Sequence, residues 1–195
     1  MYPRKKVSEL ADMEEDGIFA VYGVVTSIVE GEDWWYPACK CHRSVVPDSG
    51  PYFCNGCSKH VFHIVPRFKT KVEVSDGDAA SVFVIFDSNM SYIMEKLCAD
   101  FVCNDKSHPA EFQGLVGKML FIIEKGMKHM KIFDGAFRVK CVCSDSKIIE
   151  TFCVKGPCFT PIKTMSEVID VDTDNSDDEF VEDSQPLAFD GVIIA

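Results

Sequence analysis

Nowhere in the 195 residues does an apolar run approach the length that spans a bilayer, so no membrane partner is expected. No secretory h-region opens the chain, and its ten cysteines are not regularly spaced as a whole. A disulfide framework is therefore not expected. The signatures of common enzyme chemistry are missing as well. There is no P-loop, no HExxH, no GxSxG and no paired-carboxylate pattern. A zinc deaminase needs an H-x-E partner to its cysteine pair, and none is present. The reading is of a non-enzyme. One further absence is local: residues 164–195 hold ten acids and no Lys or Arg.

That last absence reinterprets the net charge of −11, which taken whole argues against a nucleic-acid partner. The acidic segment alone carries −10, leaving 21 acids against 20 bases in residues 1–163. Within that near-neutral part the bases cluster. Residues 34–75 carry Lys40, Arg43, Lys59, Arg67, Lys69 and Lys71 against Asp48 and Glu73, a net of +4. Residues 117–140 carry Lys118, Lys125, Lys128, Lys131, Arg138 and Lys140 against Glu124 and Asp134, again +4. Two basic stretches suit phosphate neutralisation, although solvated strand faces would look the same from charge alone.

The cysteines that do show a pattern are Cys39, Cys41, Cys54 and Cys57, two close pairs within nineteen residues. Free cysteines are often simply buried, but two tight pairs are the spacing of a zinc ribbon, in which two turns supply two ligands each. Four thiolates close a tetrahedral site and leave no position for a substrate, so one structural Zn²⁺ is expected, not a catalytic one. In CNGC, Gly56 is expected to let the backbone curl around the ion. CKC is one residue shorter than C-x-x-C, and His42 is the alternative to Cys41 as the second ligand.

Along the chain, residues 1–16 read as a polar leading arm with a short helix from Ser8. The β-branched and aromatic run IFAVYGVVTSIV after Gly17 reads as a long first strand, with Gly23 marking a bulge or sharp coil. Residues 66–75 form a second strand, with Arg67, Lys69, Lys71 and Glu73 on one face and Phe68, Thr70, Val72 and Val74 on the other. The turn SDGD leads to a third strand, SVFVIFD. Apolar positions 93, 94, 97, 98, 101 and 102 predict a helix over 91–102. GKMLFIIEK and AFRVKCVC give the fourth and fifth strands, joined by a basic loop, and a short helix over 145–152 closes the domain. Five strands with a helix after the third match the order of an OB-fold barrel, a mainly β class.

YPAC, the C-x-x-C pair, PRFKTKVEVSDG and SVFVIFD together resemble the C-terminal DNA-binding domain of the large subunit of replication protein A, a domain that plants carry in many proteins. The resemblance runs from about Val7 to about Phe152. It implies an OB-fold with a zinc ribbon inserted between its first two strands, single-stranded DNA as ligand, a nuclear location and association with other replication protein A-like subunits. Domain limits follow: 1–162 for the OB-fold, with the ribbon at about 36–62, and 163–195 for a disordered acidic tail.

An OB-fold binds single strands across strands 2 and 3, gripped by the loops joining strands 1–2 and 4–5. Here those loops are the ribbon and residues 125–134, so the two basic stretches flank the expected groove. Arg67, Lys69 and Lys71 are the first phosphate-contact candidates, followed by Arg138 and Lys140, with Lys128 and Lys131 in the second loop. By the resemblance, Phe86 stands where an aromatic stacks on a base. Of Trp34 and Trp35, one is expected to pack the ribbon onto the barrel while the other stacks on DNA; Trp35 is carried as the stacking candidate. The alternatives are an assembly module with little DNA affinity and an RNA-binding OB module. In the tail, Val168, Ile169 and Val171 before an acidic run look like a SUMO-interacting motif, and Ser176 in SDDE resembles an acidophilic-kinase site.

Overall fold

The computed structural model describes residues 2–13, 15–102, 107–126 and 135–154, and the backbone of 158–159. In chain order the elements are β1 (Tyr2–Lys5), α1 (Val7–Leu10), β2 (Gly17–Ile28), β3 (Trp35–Ala38), β4 (Val46–Pro47), β5 (Tyr52–Cys54), β6 (Lys59–Val61), β7 (Val65–Ser75), β8 (Ala80–Phe86), α2 (Asp87–Met94), β9 (Gly117–Lys125), β10 (Phe137–Cys143), α3 (Ser146–Val154) and β11 (Cys158–Phe159). Two 3-10 turns, Cys98–Asp100 and Ala110–Leu115, lie between α2 and β9.

Five of these strands close a barrel. β2 pairs with both β7 and β9, β7 with β8, β8 in parallel with β10, and β10 back to β9. The two-residue alternation of each strand sends Phe19, Val21 and Val25 of β2 inward, to meet Phe68, Val72 and Val74 of β7 and Phe83 and Ile85 of β8. Phe83 is fully buried and meets Phe121 and Phe137 edge-on, with ring centroids at 5.0 and 5.8 Å. Burying each such ring contributes about 1.5–3 kcal/mol.

β9 reads as an unbroken apolar run because both of its faces are covered. Met119, Phe121 and Ile123 point into the barrel, while Leu120 and Ile122 join Ala20, Cys141, Cys143, Ile149 and Phe152 in a second core beneath α3. Closure of the barrel needs Gly23. A Cβ there would stand 2.5 Å from Val74 Cγ1, so this glycine permits a close approach of β2 to β7. The bulge expected at Gly23 lies further along, where the β2–β7 register shifts between Val25 and Ser27.

Two expectations for the periphery are corrected. The leading arm is not merely a polar lead-in with a helix. β1 adds to the sheet, parallel to β2 and antiparallel to β11. Lys125 secures this arm, its buried ammonium donating to the carbonyls of Leu10 (3.0 Å) and Met13. Ser8 anchors it further, donating from its backbone N–H (3.0 Å) and hydroxyl (3.1 Å) to Asp76 Oδ2 in the β7–β8 turn. The continuous helix over 91–102 does not form: α2 starts earlier, at Asp87, and stops where Glu95 adopts a left-handed conformation (φ 53°). Apolar periodicity nevertheless found most of the core contacts, since Cys98 and Phe101 are buried in the barrel core and Ile93, Met94 and Val102 pack against it, but Leu97 is exposed.

Candidate metal centre and nucleic-acid interface

Between β2 and β7 the chain leaves the barrel and folds its cysteines together. β3 pairs with the start of β7, and β4, β5 and β6 form a separate three-stranded sheet. The first knuckle turns after β3, where the His42 N–H donates to the Cys39 carbonyl (2.9 Å) and the Cys39 N–H donates to the Arg43 carbonyl (2.8 Å). The second turns after β5, where the Ser58 N–H donates to the Asn55 carbonyl (3.2 Å). In both knuckles the residue after the second cysteine takes the left-handed conformation, His42 at φ 72° and Ser58 at φ 51°. Gly56 does not, so its expected role in curling the backbone is replaced by another. A Cβ at Gly56 would lie 2.1 Å from Arg43 Cδ, and the glycine makes room for an arginine laid across from the first knuckle.

The sulfurs of Cys39, Cys41, Cys54 and Cys57 all lie within 4.8 Å of one another. His42 is not in that cluster, and the short CKC knuckle presents Cys41 as its second donor. Cys39 and Cys57 are 3.8 Å apart and Cys41 and Cys54 3.5 Å, far beyond a disulfide bond of about 2.05 Å. A tetrahedral ion with metal–sulfur bonds of about 2.3 Å holds its sulfurs about 3.8 Å apart, so the set fits one.

Electrostatics points the same way. Burial opposes ionisation of Cys41, but the Arg43 backbone N–H and the sulfurs of Cys57, Cys54 and Cys39 outweigh it and bring this thiol down to about 7. The sulfurs of Cys41 and Cys39, then burial, push Cys57 up to about 12, and burial raises Cys54. Four sulfurs this close would repel one another as thiolates. A divalent cation relieves that repulsion.

Trp34 and Trp35 join this lobe to the barrel in different ways. Trp34 is buried in the barrel core, its ring 5.3 Å from Phe112 edge-on and 6.1 Å from Phe68. Trp35, half-buried, packs against the barrel core and also against the ribbon core of Cys39, Val45, Cys54 and Ile64. The residue carried as the stacking candidate is thus the one that ties the two cores together.

On the barrel's outer face, strand register brings Lys69 of β7 opposite Phe86 of β8, and Lys71 opposite Val84. Arg138 of β10 is also opposite Val84, and its guanidinium lies over the Phe86 ring at 5.4 Å. Lys69, Phe86 and Arg138 therefore form one contiguous patch across three strands. Arg138 and most of the other candidate cations stand against carboxylates. Arg67 is ion-paired with Asp87, whose other oxygen accepts the Phe68 N–H at 3.2 Å. Lys71 meets Glu32 at 2.7 Å. Glu124 stands 4.0 Å from Arg138 and 3.7 Å from Lys140. Counting charges along the sequence separated Lys71 and Arg67 from Glu32 and Asp87, which lie in the loop before β3 and at the start of α2; Glu124 was in the count, but its place against Arg138 and Lys140 follows only from the β9–β10 pairing. Lys128 and Lys131, and Val168, Ile169, Val171 and Ser176, lie outside the described residues.

The sequence signature described as the replication factor-A C terminal domain matches residues 18–150. No protein of curated function matches the chain in sequence. Among solved structures, the chain is similar to one described as a replication protein A heterotrimer bound to ssDNA, with a TM-score of 0.58 at 15% identity over 79% of this chain. It spans only 39% of that longer chain's length. It is also similar to yeast RPA bound to ssDNA, with a TM-score of 0.54 at 14% identity, covering 78% of this chain and 95% of the other. At these identities the likeness is one of fold.

Proposed function

Because the chain belongs to the replication factor-A C terminal domain family, we propose that it binds single-stranded DNA, with little sequence preference, on the outer face of β7, β8 and β10. The observation that carries this reading is the Lys69–Phe86–Arg138 patch, where an aromatic ring lies between two cations on the strands an OB-fold uses for single strands. Phe86 stacks on a base, and Lys69 and Arg138 meet the flanking phosphates. Stacking suits sequence-tolerant binding because every base has a π-face. Arg67 acts beneath the patch, fixing Asp87 at the start of α2.

The ion at Cys39, Cys41, Cys54 and Cys57 is zinc in this reading. When bound, it supplies the charge that lets the four sulfurs ionise together and locks two short knuckles that have little apolar core of their own. With all four donors from the protein, it has no catalytic position, and the protein is a non-catalytic binding module that acts in replication, repair or recombination in the nucleus. The fold match to a heterotrimer chain supports a second element of the reading, association with replication protein A-like subunits.

Titration of a labelled mixed-sequence single-stranded DNA by fluorescence anisotropy tests the proposal, with unlabelled RNA of the same sequence as competitor. Saturable binding that RNA competes poorly supports it. No binding at low salt would leave the assembly role, and stronger competition by RNA would make this an RNA-binding module. For the C-terminal segment, residues 163–195, we propose a partner-binding tail whose Val168, Ile169 and Val171 add a strand to SUMO, an addition that phosphorylation of Ser176 would strengthen by extending the negative run. A SUMO pull-down in which Ile169→Ala loses the capture seen with wild type checks it; equal capture would contradict it.

A further inference from the structure

Lys71 combines two properties that do not usually occur together. Its side chain is 7% exposed, on a strand face that should meet solvent, and its ammonium touches both oxygens of Glu32, at 2.9 and 2.7 Å. Glu32 itself is 45% exposed. The carboxylate is therefore the outer member of the pair and the ammonium the inner one. Glu32 belongs to the loop 29–34, which turns at Gly31 (φ +84°), and no atom stands within 4 Å of where a Cβ would be at that glycine. Only the bend at Gly31 is open: the ends of the loop are held on β7, where the Val29 N–H donates to the Lys71 carbonyl (3.0 Å) and the Lys69 N–H to the Trp34 carbonyl (2.9 Å).

We propose that Glu32 occupies, in the free protein, the position on Lys71 that a nucleic-acid phosphate takes in the complex, so that binding at this point is an exchange of one anion for another. This inference rests on the nucleic-acid reading above. Carboxylate and phosphate oxygens accept the same charge-assisted hydrogen bond from an ammonium, and two anions cannot share it without repulsion. Glu32 can swing outward because its carboxylate is half in water already and the bend beside it at Gly31 is open, while the incoming phosphate replaces it on the buried ammonium.

The exchange has two consequences. Lys71 contributes less affinity than an open lysine would. It also contributes little salt dependence, because the departing carboxylate gathers a cation as the phosphate releases one. Only a ligand that fills several contacts of the groove at once offsets the loss of the internal pair, so Glu32 selects a polyanionic strand over single phosphate groups.

The test compares wild type, Glu32→Gln, Lys71→Met and the double variant as full-length chains, by anisotropy with labelled oligothymidylate across a salt series. Glu32→Gln keeps the shape of the side chain and removes the competing charge. It should tighten binding about two- to fivefold at low salt, the range expected for a part-exposed ion pair. It should also steepen the logarithmic salt slope by about 0.7, one additional phosphate contact on a single strand. On the Lys71→Met background the same change should do nothing. Unchanged or weaker binding by Glu32→Gln would overturn the inference, as would equal tightening with Lys71→Met, which would reduce Glu32 to bulk charge. Wild-type binding reports separately on the nucleic-acid reading, since that reading fails if no variant binds at low salt. Should Lys71→Met fail to fold by circular dichroism, Lys71→Gln takes its place.

Discussion

His42 stands beside the sulfur cluster without entering it, and that placement makes a sharp expectation. Cys41→Ser, Cys54→Ser and Cys57→Ser should each lose the metal, whereas His42→Ala should keep one equivalent of zinc per chain, measured by elemental analysis of the purified protein. Full zinc in all four variants would move the site elsewhere. Phe86 gives the second expectation at this scale. Stacking on a base contributes about 1–3 kcal/mol, so Phe86→Ala should weaken oligonucleotide binding by about five- to 150-fold. The salt slope should stay where it was, because the lost contact is not ionic; a flatter slope would mean that the ring acts by positioning Arg138. The cysteines were legible in the sequence because ligand spacing is local. Arg67, Lys71 and Lys140 were legible as cations on the right strands, but not as cations already held by Asp87, Glu32 and Glu124. Those carboxylates lie 20, 39 and 16 positions away in the chain and come near only when neighbouring elements pair and pack.

At the scale of elements, the β7–β8 turn holds the N-terminal arm through two carboxylates, the exposed Asp78 meeting Lys6 at 3.7 Å and the partly buried Asp76 accepting from Ser8. Asp76 is partly buried, which opposes its charge, but the backbone N–H groups of Ser8, Ala79 and Asp78 outweigh burial and hold its carboxyl down at about 2, below the ordinary 3.8. A depressed folded-state value contributes stability that is present above the unfolded value and is lost as pH falls through the folded one. Wild-type stability should therefore fall between about pH 4 and about pH 2 in chemical denaturation. Asp76→Asn should be less stable at neutral pH and should not show that step; an identical acid limb in both proteins would contradict the assignment.

The five barrel strands were readable because each keeps a two-residue or doubly buried apolar pattern. The arm was not. Tyr2–Lys5 is too short and too basic to announce a strand, and it becomes one only by pairing with β2 and β11. The helix after β8 was misplaced for a related reason. Its apolar spacing recorded burial against the barrel, which a short helix and a 3-10 turn satisfy together.

For the molecule as a whole, the net charge of −11 conceals a division of labour between a near-neutral body and an acidic terminal segment. The body places Lys69, Lys71, Arg138 and Lys140 on one barrel face, next to the Phe86 ring, and offsets part of that charge with Glu32 and Glu124. Such a surface is expected to bind a polyanion whose bases are free to stack, and to bind a duplex poorly, because paired bases do not present their faces. One measurement bears on this most directly: affinities for a single strand and for the corresponding duplex, each at two salt concentrations, with wild type and with Lys69→Glu. The account predicts tighter binding to the single strand, a steep loss on adding salt, and weaker binding with a shallower salt slope for the variant. Equal affinity for the single strand and the duplex, or a Lys69→Glu variant that binds like wild type, would contradict it.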